Sequence, residues 1–527
     1  MKHLLLLFGA AAAVMSCERI DTGSGNSPAG RGGDEVHHDE IVLGRQLEDP
    51  YRTENVEKAL KALYPTKADR VSVESTDYYV RFLPADQNEF DILKAAGVEL
   101  LDHPLDYEIL REGDWYHDPS IDRDGITWQY AAVPKDFKFP DVEHQILHEC
   151  YIAAHDPSTK ADGLDWDAVE RKSYELTGNA SMLSAQDTKA SPKSAPAGRI
   201  TIVDDEAFGG KPVGVAGVMV SCNAFVKFAR AYTDRDGYYT MDREFSSKLR
   251  YRVVFKNERN FAVGLNLVLV PASVSTLGKA EPSGVSLNVT RDSEDRLFRR
   301  CVVNNAVYDY IGRCDKEDMD ISAPPADLRI WIMGGLECSS SPMIHQGAVV
   351  SHALIAGFLG PYSVLVKLFA PDITVGASGK TSYRSLYSEV VHELAHASHY
   401  SLVGNGYWNS YVEYILRSFA SSGSTYGTGT EDNAGYCAVG EMWAYYLESM
   451  MQKDRYGGYV PDSGDSFWFK PQILRYMDER GVGRDLIFKS LSKDVASVSA
   501  LREALVRNCP EKRTMIEQAF ARYTDIQ

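Results

Sequence analysis

The segment YSEVVHELAHASHY, residues 387–400, places three of the chain's thirteen histidines within eight positions. His392 and His396 are four apart, so on a helix both imidazoles leave the same face one turn apart and can share an ion. Glu393, rotated by about 100° from His392, stands beside such an ion rather than on it. A base belongs there: zinc lowers the pKa of a bound water toward about 7, and an adjacent carboxylate takes the proton and passes it to a leaving amine. HELAH thus reads as HExxH, the pattern of metal-assisted peptide hydrolysis. The extended form HExxHxxGxxH is excluded, because its glycine position holds His399 and its third histidine position holds Leu402. His399 shares the helix face, but a straight helix does not wrap around an ion, so it reads as a neighbour of the site. The third ligand must come from elsewhere.

Downstream, GYCAVGEMWAYYLESM offers Glu441 in the first turn of a helix expected to start after Gly440, with small Ala444 three residues on. A glutamate followed by an aromatic residue and an alanine resembles the third-ligand helix of the gluzincin metallopeptidases. The preceding STYGTGTEDN resembles the tyrosine-bearing loop of their lethal-factor-like members, and the interval of 45 positions from His396 to Glu441 is similar as well. The resemblance implies one Zn2+ held by His392, His396 and Glu441, with Glu393 as base. It also implies a tyrosine hydroxyl that stabilises the tetrahedral oxyanion. Tyr426, fifteen residues before Glu441, and Tyr436, five before it, both remain open for that role. Glu413, in YWNSYVEYILRSF, competes as ligand at the shorter spacing of thermolysin-like and mucin-degrading gluzincins, but lacks the aromatic–alanine context. Glu389 and Glu448 read as solvated or outer carboxylates.

The elements that must position these residues are legible around them. The HELAH helix is capped by Thr381 or Ser382 and ends before Gly404-Asn405-Gly406. With a helix over VNNAVYDYIGRC, strands LRIWIMG and DITVGA, and four further helical stretches from about 440, it makes residues 296–527 a zincin-like metallopeptidase domain that holds every ligand and the base. Residues 198–290 alternate with period two, Tyr251, Val253 and Phe255 opposing Arg250, Arg252 and Lys256, and the Asp-Gly of TDRDGYYTM predicts a hairpin. This segment resembles the carboxypeptidase regulatory-like, transthyretin-like β-sandwich of exported bacterial proteins, which implies a structural or binding module. Residues 156–197 read as a Ser/Ala/Pro/Lys-rich linker after one short helix. Residues 49–155 read as a small α/β domain, with helices in TENVEKALKALYP and NEFDILKAAG and strands in DYYVRFLP and VELLD. In HQILHEC, His144 and His148 are four apart on an expected surface helix, but Gln145 stands where a base would. The fold class is multidomain α+β.

At the N-terminus, MKHLLLLFGAAAAVMSC has a basic start and an apolar run too short to span a membrane. A small residue before Cys17 resembles the lipobox of bacterial lipoproteins, so 1–17 is expected as a signal peptide and Cys17 as the lipidated residue. Residues 18–48 read as a flexible tether in which His37 and His38 have no metal role. The other seven cysteines include no CxxC pair. Proximity makes Cys301 and Cys314 the first candidates for a disulfide, with buried free thiols as the alternative. At 527 residues, 44% hydrophobic and net charge −18, the chain is multidomain and globular and has no basic cluster for nucleic acid. The expectation is an exported, outer-membrane, lipid-anchored zinc metalloendopeptidase acting on proteins, peptides or glycoproteins. The alternative is a protein- or glycan-binding surface lipoprotein whose zincin domain is inert.

Overall fold

The computed structural model describes residues 40–523 apart from 67–70, 122–125, 161–162, 185–192, 265–273, 335–336, 349–370 and 458–465. Cys17, His37 and His38 lie outside the described residues. Within them the chain is mixed α and β, with four sheets and a C-terminal helical region.

The N-terminal part runs β1 (Val42–Gln46), α1 (Thr53–Leu63), β2 (Asp77–Phe82), α2 (Gln87–Ala95), β3 (Tyr107–Arg111), β4 (Gln129–Pro134), β5 (His144–Cys150) and α3 (Trp166–Leu176). β1 pairs with β3, and β2 is the centre of a second antiparallel sheet, β4-β2-β5. Three expectations need correction here. Residues 42–46 are a strand rather than the end of a tether. VELLD contributes only an isolated bridge, Leu101 to Tyr130. HQILHEC is a strand, His144 opposite Phe82 and His148 opposite Tyr79. The apolar face of β2 supplies a ladder partner that a short ambiguous segment cannot announce. Four residues of strand span about 13 Å, so His144 and His148 cannot share an ion. The short helix expected within 156–197 is α3. Asp165 caps it by accepting from the backbone of Asp167 and Ala168, and its buried Tyr174 meets Tyr51 edge-on at 5.9 Å.

Nine strands follow: β6 (Ala197–Val203), β7 (Pro212–Gly214), β8 (Val218–Ala224), β9 (Lys227–Tyr232), β10 (Tyr238–Thr240), β11 (Leu249–Asn257), β12 (Phe261–Val263), β13 (Val274–Ala280) and β14 (Leu287–Val289). They divide between a small sheet, β10-β6-β14 with β7 on β6, and a large one in which β8, β12 and β13 pair with β11. The Asp236-Gly237 turn does not close a hairpin. β9 pairs with β8 whereas β10 pairs with β6, so the turn carries the chain between sheets. Gly237 adopts φ 85° there, and a Cβ would meet the Ile200 carbonyl oxygen at 2.1 Å. Along β11, Tyr251, Val253 and Phe255 face the core as the alternation predicts. Arg252, on the opposite face, is buried as well, because the N-terminal part covers that face; on β8, Ser221 donates to Glu99 at 2.6 Å.

The C-terminal part contains α4 (Asp295–Arg313), β15 (Leu328–Met333), β16 (Ile373–Gly376), α5 (Tyr383–Ser422), α6 (Ala434–Tyr456), α7 (Gln472–Asp478), α8 (Arg484–Lys489), α9 (Val498–Asn508) and α10 (Arg513–Arg522). β15 lies parallel between β12 and β16, so the large sheet continues from β8, β9, β11 and β12 into this part, in the order β16-β15-β12-β11-β8-β9. One hydrophobic core joins Val253 and Phe255 of β11, Val307 of α4, Val391 of α5 and Leu447 of α6. Arg455 of α6 adds two hydrogen bonds of 3.0 and 2.9 Å to the buried Asp204 after β6. Cys301 and Cys314 both ride on α4 and its C-cap. Thirteen helical residues separate them by about 20 Å, far beyond disulfide reach, and both are free thiols.

Candidate metal centre

The first half of α5 is buried on nearly every side, with Leu386, Val390, Val391, Leu394, Ala395 and Ala397 inaccessible and Ser388, Glu389, His392, Glu393, His396 and His399 buried beside them, which makes it a central core helix. Ser382 caps it, its hydroxyl accepting from the Ser385 backbone, and the helix breaks at Gly404, where φ is 74° and ψ −179°. α6 crosses it, tied by the Trp443 indole donating to the Ala395 carbonyl at 3.0 Å. α6 begins at Ala434, so Glu441 lies in its third turn rather than its first. Gly435 is there for close approach: a Cβ on it would meet the Ala496 carbonyl oxygen at 2.0 Å, whereas one on Gly440 would make only ordinary contact with the Tyr411 ring at 3.4 Å.

This crossing brings His392, His396 and Glu441 together, with one donor atom from each within 4.8 Å of the others. Nε2 of His392 lies 3.6 Å from Glu441 Oε2, and Nε2 of His396 lies 3.5 Å from Oε1. Those separations are long for hydrogen bonds. They fit two ligands of one tetrahedral ion with bonds near 2.0–2.1 Å, whose donor atoms stand about 3.4 Å apart. The protonation states fit too. Burial keeps His396 neutral by lowering its pKa. Burial alone would raise Glu441, but His396 and His392 outweigh it and hold its carboxyl well below the usual range.

The surroundings orient these groups. Glu448, seven residues after Glu441 and so on the same helix face, accepts from His392 Nδ1 at 3.1 Å, which turns Nε2 toward Glu441. Ser388 and Gln452 donate in turn to the other Glu448 oxygen. The Tyr411 phenol donates to Glu441 Oε1 at 2.5 Å. Ser341 donates to Glu393 Oε2 at 2.7 Å, while Glu393 Oε1 is buried with no hydrogen-bond partner among the described residues. Burial, helped by Glu389 and Glu441 and opposed by His392 and Ser341, pushes the Glu393 carboxyl up to about 8. Four buried carboxylates, Glu389, Glu393, Glu441 and Glu448, gather here. Lys380 reaches Glu389 at 3.3 Å, and a divalent cation at the histidines would offset the charge of the others. The residues present therefore fit a metal ion.

The remaining sequence candidates are distributed around this group. The Tyr426 hydroxyl bonds to that of Tyr445 at 3.1 Å, and the Tyr445 ring lies 4.6 Å from His392. Tyr436 packs instead on Tyr407 at 4.6 Å, a ring that in turn contacts His399. His399 is fully buried and bonds to the Leu491 carbonyl at 3.1 Å, which engages its Nε2 away from the ligand set. Glu413 pairs with Arg417 on the helix surface, away from the histidines, which removes it as the competing ligand. Tyr411 and Ser341 carried no sequence signal, since neither shares a periodic face with the motif. Glu448 was legible by its spacing from Glu441.

A second His/Cys/Asp group, Asp49, His148 and Cys150, has donor atoms equally close. There, however, the Arg52 guanidinium lies 3.2 Å from His148 Nδ1 and Nε2 faces Asp49 at 2.9 Å. Arginine can only donate, so Nδ1 accepts and Nε2 carries the proton to Asp49. That is a hydrogen-bond clamp rather than a ligand set.

Comparison with protein-family models, with curated proteins and with solved structures finds no match.

Proposed function

We propose that the chain is an exported, lipid-anchored zinc metallopeptidase of the gluzincin type, acting on proteins, peptides or glycoproteins. The carrying observation is the buried His392–His396–Glu441 group, set at co-ligand rather than hydrogen-bond separations, with Glu393 beside it. A zinc ion held there supplies an acidified water and a Lewis acid for the scissile carbonyl. Glu393 takes a proton through its open Oε1 and returns it to the leaving amine, with Ser341 holding Oε2. Glu448 and Tyr411 orient His392 and Glu441. In this reading the oxyanion role stays with Tyr426 or Tyr436, because the one Tyr411 proton is donated to Glu441. The zincin-like domain and the regulatory-like sandwich belong to the same reading, as do the anchor at Cys17 and an outer-membrane location.

One observation favours the alternative, a binding lipoprotein with an inert centre. His392 is 3%, Glu393 0%, His396 1% and Glu441 0% exposed. Beside them, Ser341 and Tyr411 border a cavity of only about 10 Å³, room for a single water. Metal analysis together with a broad peptide-library digest separates the readings. The peptidase reading requires one zinc per chain, cleavage by the wild type, and a Glu393→Gln variant that keeps the zinc while losing activity by about 10²–10⁴-fold or more. Zinc without cleavage in the wild type selects the inert centre, and undiminished cleavage by Glu393→Gln overturns the mechanism.

A further inference from the structure

A cavity of about 290 Å³ lies where the N-terminal part meets the outer face of the large sheet, and no residue of the metal centre lines it. Four cationic side chains reach its wall: Arg45 from β1, Lys248 and Arg250 at the start of β11, and Lys279 from β13. Two carboxylates, Glu108 and Glu112, share the wall but do not balance it. Glu112 takes Arg250 at 2.9 Å. Arg45 is 4.0 Å from Glu108, and Lys248 is 3.9 Å from Glu281, both at the limit of an ion pair. The Lys279 side chain has no ion pair or hydrogen bond among the described residues.

Behind the wall the excess of donors continues. Arg252, 2% exposed, donates from Nη2 to Asn223, which lines the cavity. Its Nε and Nη1 have no hydrogen-bond partner among the described residues, nor does Nε of Arg250. In a chain of net charge −18 this is a concave surface whose wall cations outnumber its carboxylates four to two. Such a surface concentrates anions.

We propose that this cavity binds a small oxyanion-bearing, hydroxylated ligand, an acidic sugar carrying a carboxylate or sulfate. The arginine and lysine donors match the oxyanion. Ser181 adds a hydroxyl group for ring hydroxyls, and Tyr107 adds an aromatic face. The volume sits at the lower end of ligand clefts, about 300–1,000 Å³, which suits one or two sugar rings and not a folded protein surface. The site is independent of the peptidase reading, since it shares no residue with the metal centre.

Isothermal titration of the full-length protein at low salt tests it, with glucuronate, galactose 6-sulfate, glucose and inorganic sulfate as probes. The expected result is saturable binding of at least one acidic sugar and none of glucose. That binding weakens roughly tenfold or more in the Lys248→Ala/Lys279→Ala double variant, and also at about 0.5 M salt. The melting temperature and near-ultraviolet circular dichroism of the double variant report that its fold is intact, and the salt arm reads the same electrostatics in the unmodified protein. Absence of binding by both acidic sugars overturns the proposal. So does glucose binding as tightly as glucuronate, or inorganic sulfate binding as tightly as either acidic sugar. Acidic-sugar affinity unmoved by both the double substitution and salt overturns it as well.

Discussion

The Tyr411 phenol and the Glu441 carboxylate meet across the α5–α6 crossing at 2.5 Å, on the same Glu441 oxygen that lies 3.5 Å from His396. Tyr411 comes from beyond the Gly404 break, so the second half of α5 folds back over the His392–His396–Glu441 group, two of whose members its first half presents. The geometry of the proposed ligands therefore depends on a residue outside the group.

Tyr411→Phe removes that hydrogen bond while keeping the ring that packs 4.7 Å from Trp408. Zinc affinity is expected to fall by about 10–100-fold, as for other groups that orient a ligand, with the fold retained. Competition titration against a chelator measures this, and unchanged affinity would remove Tyr411 from the role.

Glu441→Ala is expected to lose the ion, since two histidines alone hold zinc poorly. Glu413→Ala, which removes only a surface pair with Arg417, should keep full zinc content and change stability by less than about 0.5 kcal/mol. Elemental analysis of both variants decides it; zinc lost from the second and kept by the first would reverse the ligand assignment.

A fragment of residues 296–527 holds every proposed ligand, yet it is expected not to fold alone. β15 would lose its parallel neighbour β12, and the core shared with β11 would be open to water. Near-ultraviolet circular dichroism and gel filtration test this against the full chain, and a folded, zinc-loaded fragment would contradict it. In the intact protein, Asp204→Ala leaves Arg455, whose side chain is 10% exposed, without its carboxylate. A loss of about 3–5 kcal/mol is expected, read from denaturant midpoints.

His399 predicts an acid limit to stability. Burial, reinforced by His396, pulls its pKa down to about 3, against an unfolded value near 6.5. Below pH 6.5 the unfolded chain takes up a proton that the folded chain refuses. The contribution is therefore complete above about 6.5 and is lost progressively as pH falls toward 3, by up to roughly 1.4 kcal/mol per pH unit. His399→Gln is expected to flatten the wild-type slope of melting temperature between pH 6.5 and 4. Both proteins retain the metal ligands, so the difference isolates His399, and parallel slopes would count against this account.

What could be read from the sequence is local periodicity and its chemistry. The spacing of His392, Glu393 and His396, the Ser382 cap, the Gly404 break and the alternation of Tyr251, Val253 and Phe255 are properties of one helix or one strand, set by repeats of 3.6 or 2 residues. Glu441 was singled out by its context, whereas Glu448 was read only as a solvated or outer carboxylate, although its seven-residue spacing from Glu441 puts both on one helix face. Tertiary structure decided the rest, because the deciding atoms are far apart in the chain. Ser341 on Glu393 and Tyr411 on Glu441 exist as partners only once β16, α5 and α6 have packed. Gly435, which looks like a helix breaker alone, sits inside α6 because the Ala496 backbone approaches it too closely for a Cβ. HQILHEC became a strand because β2 offered it a ladder. The alternation assigned Arg252 to the outer face correctly, but only the N-terminal part, closing over that face, made it buried and left two of its donors without partners.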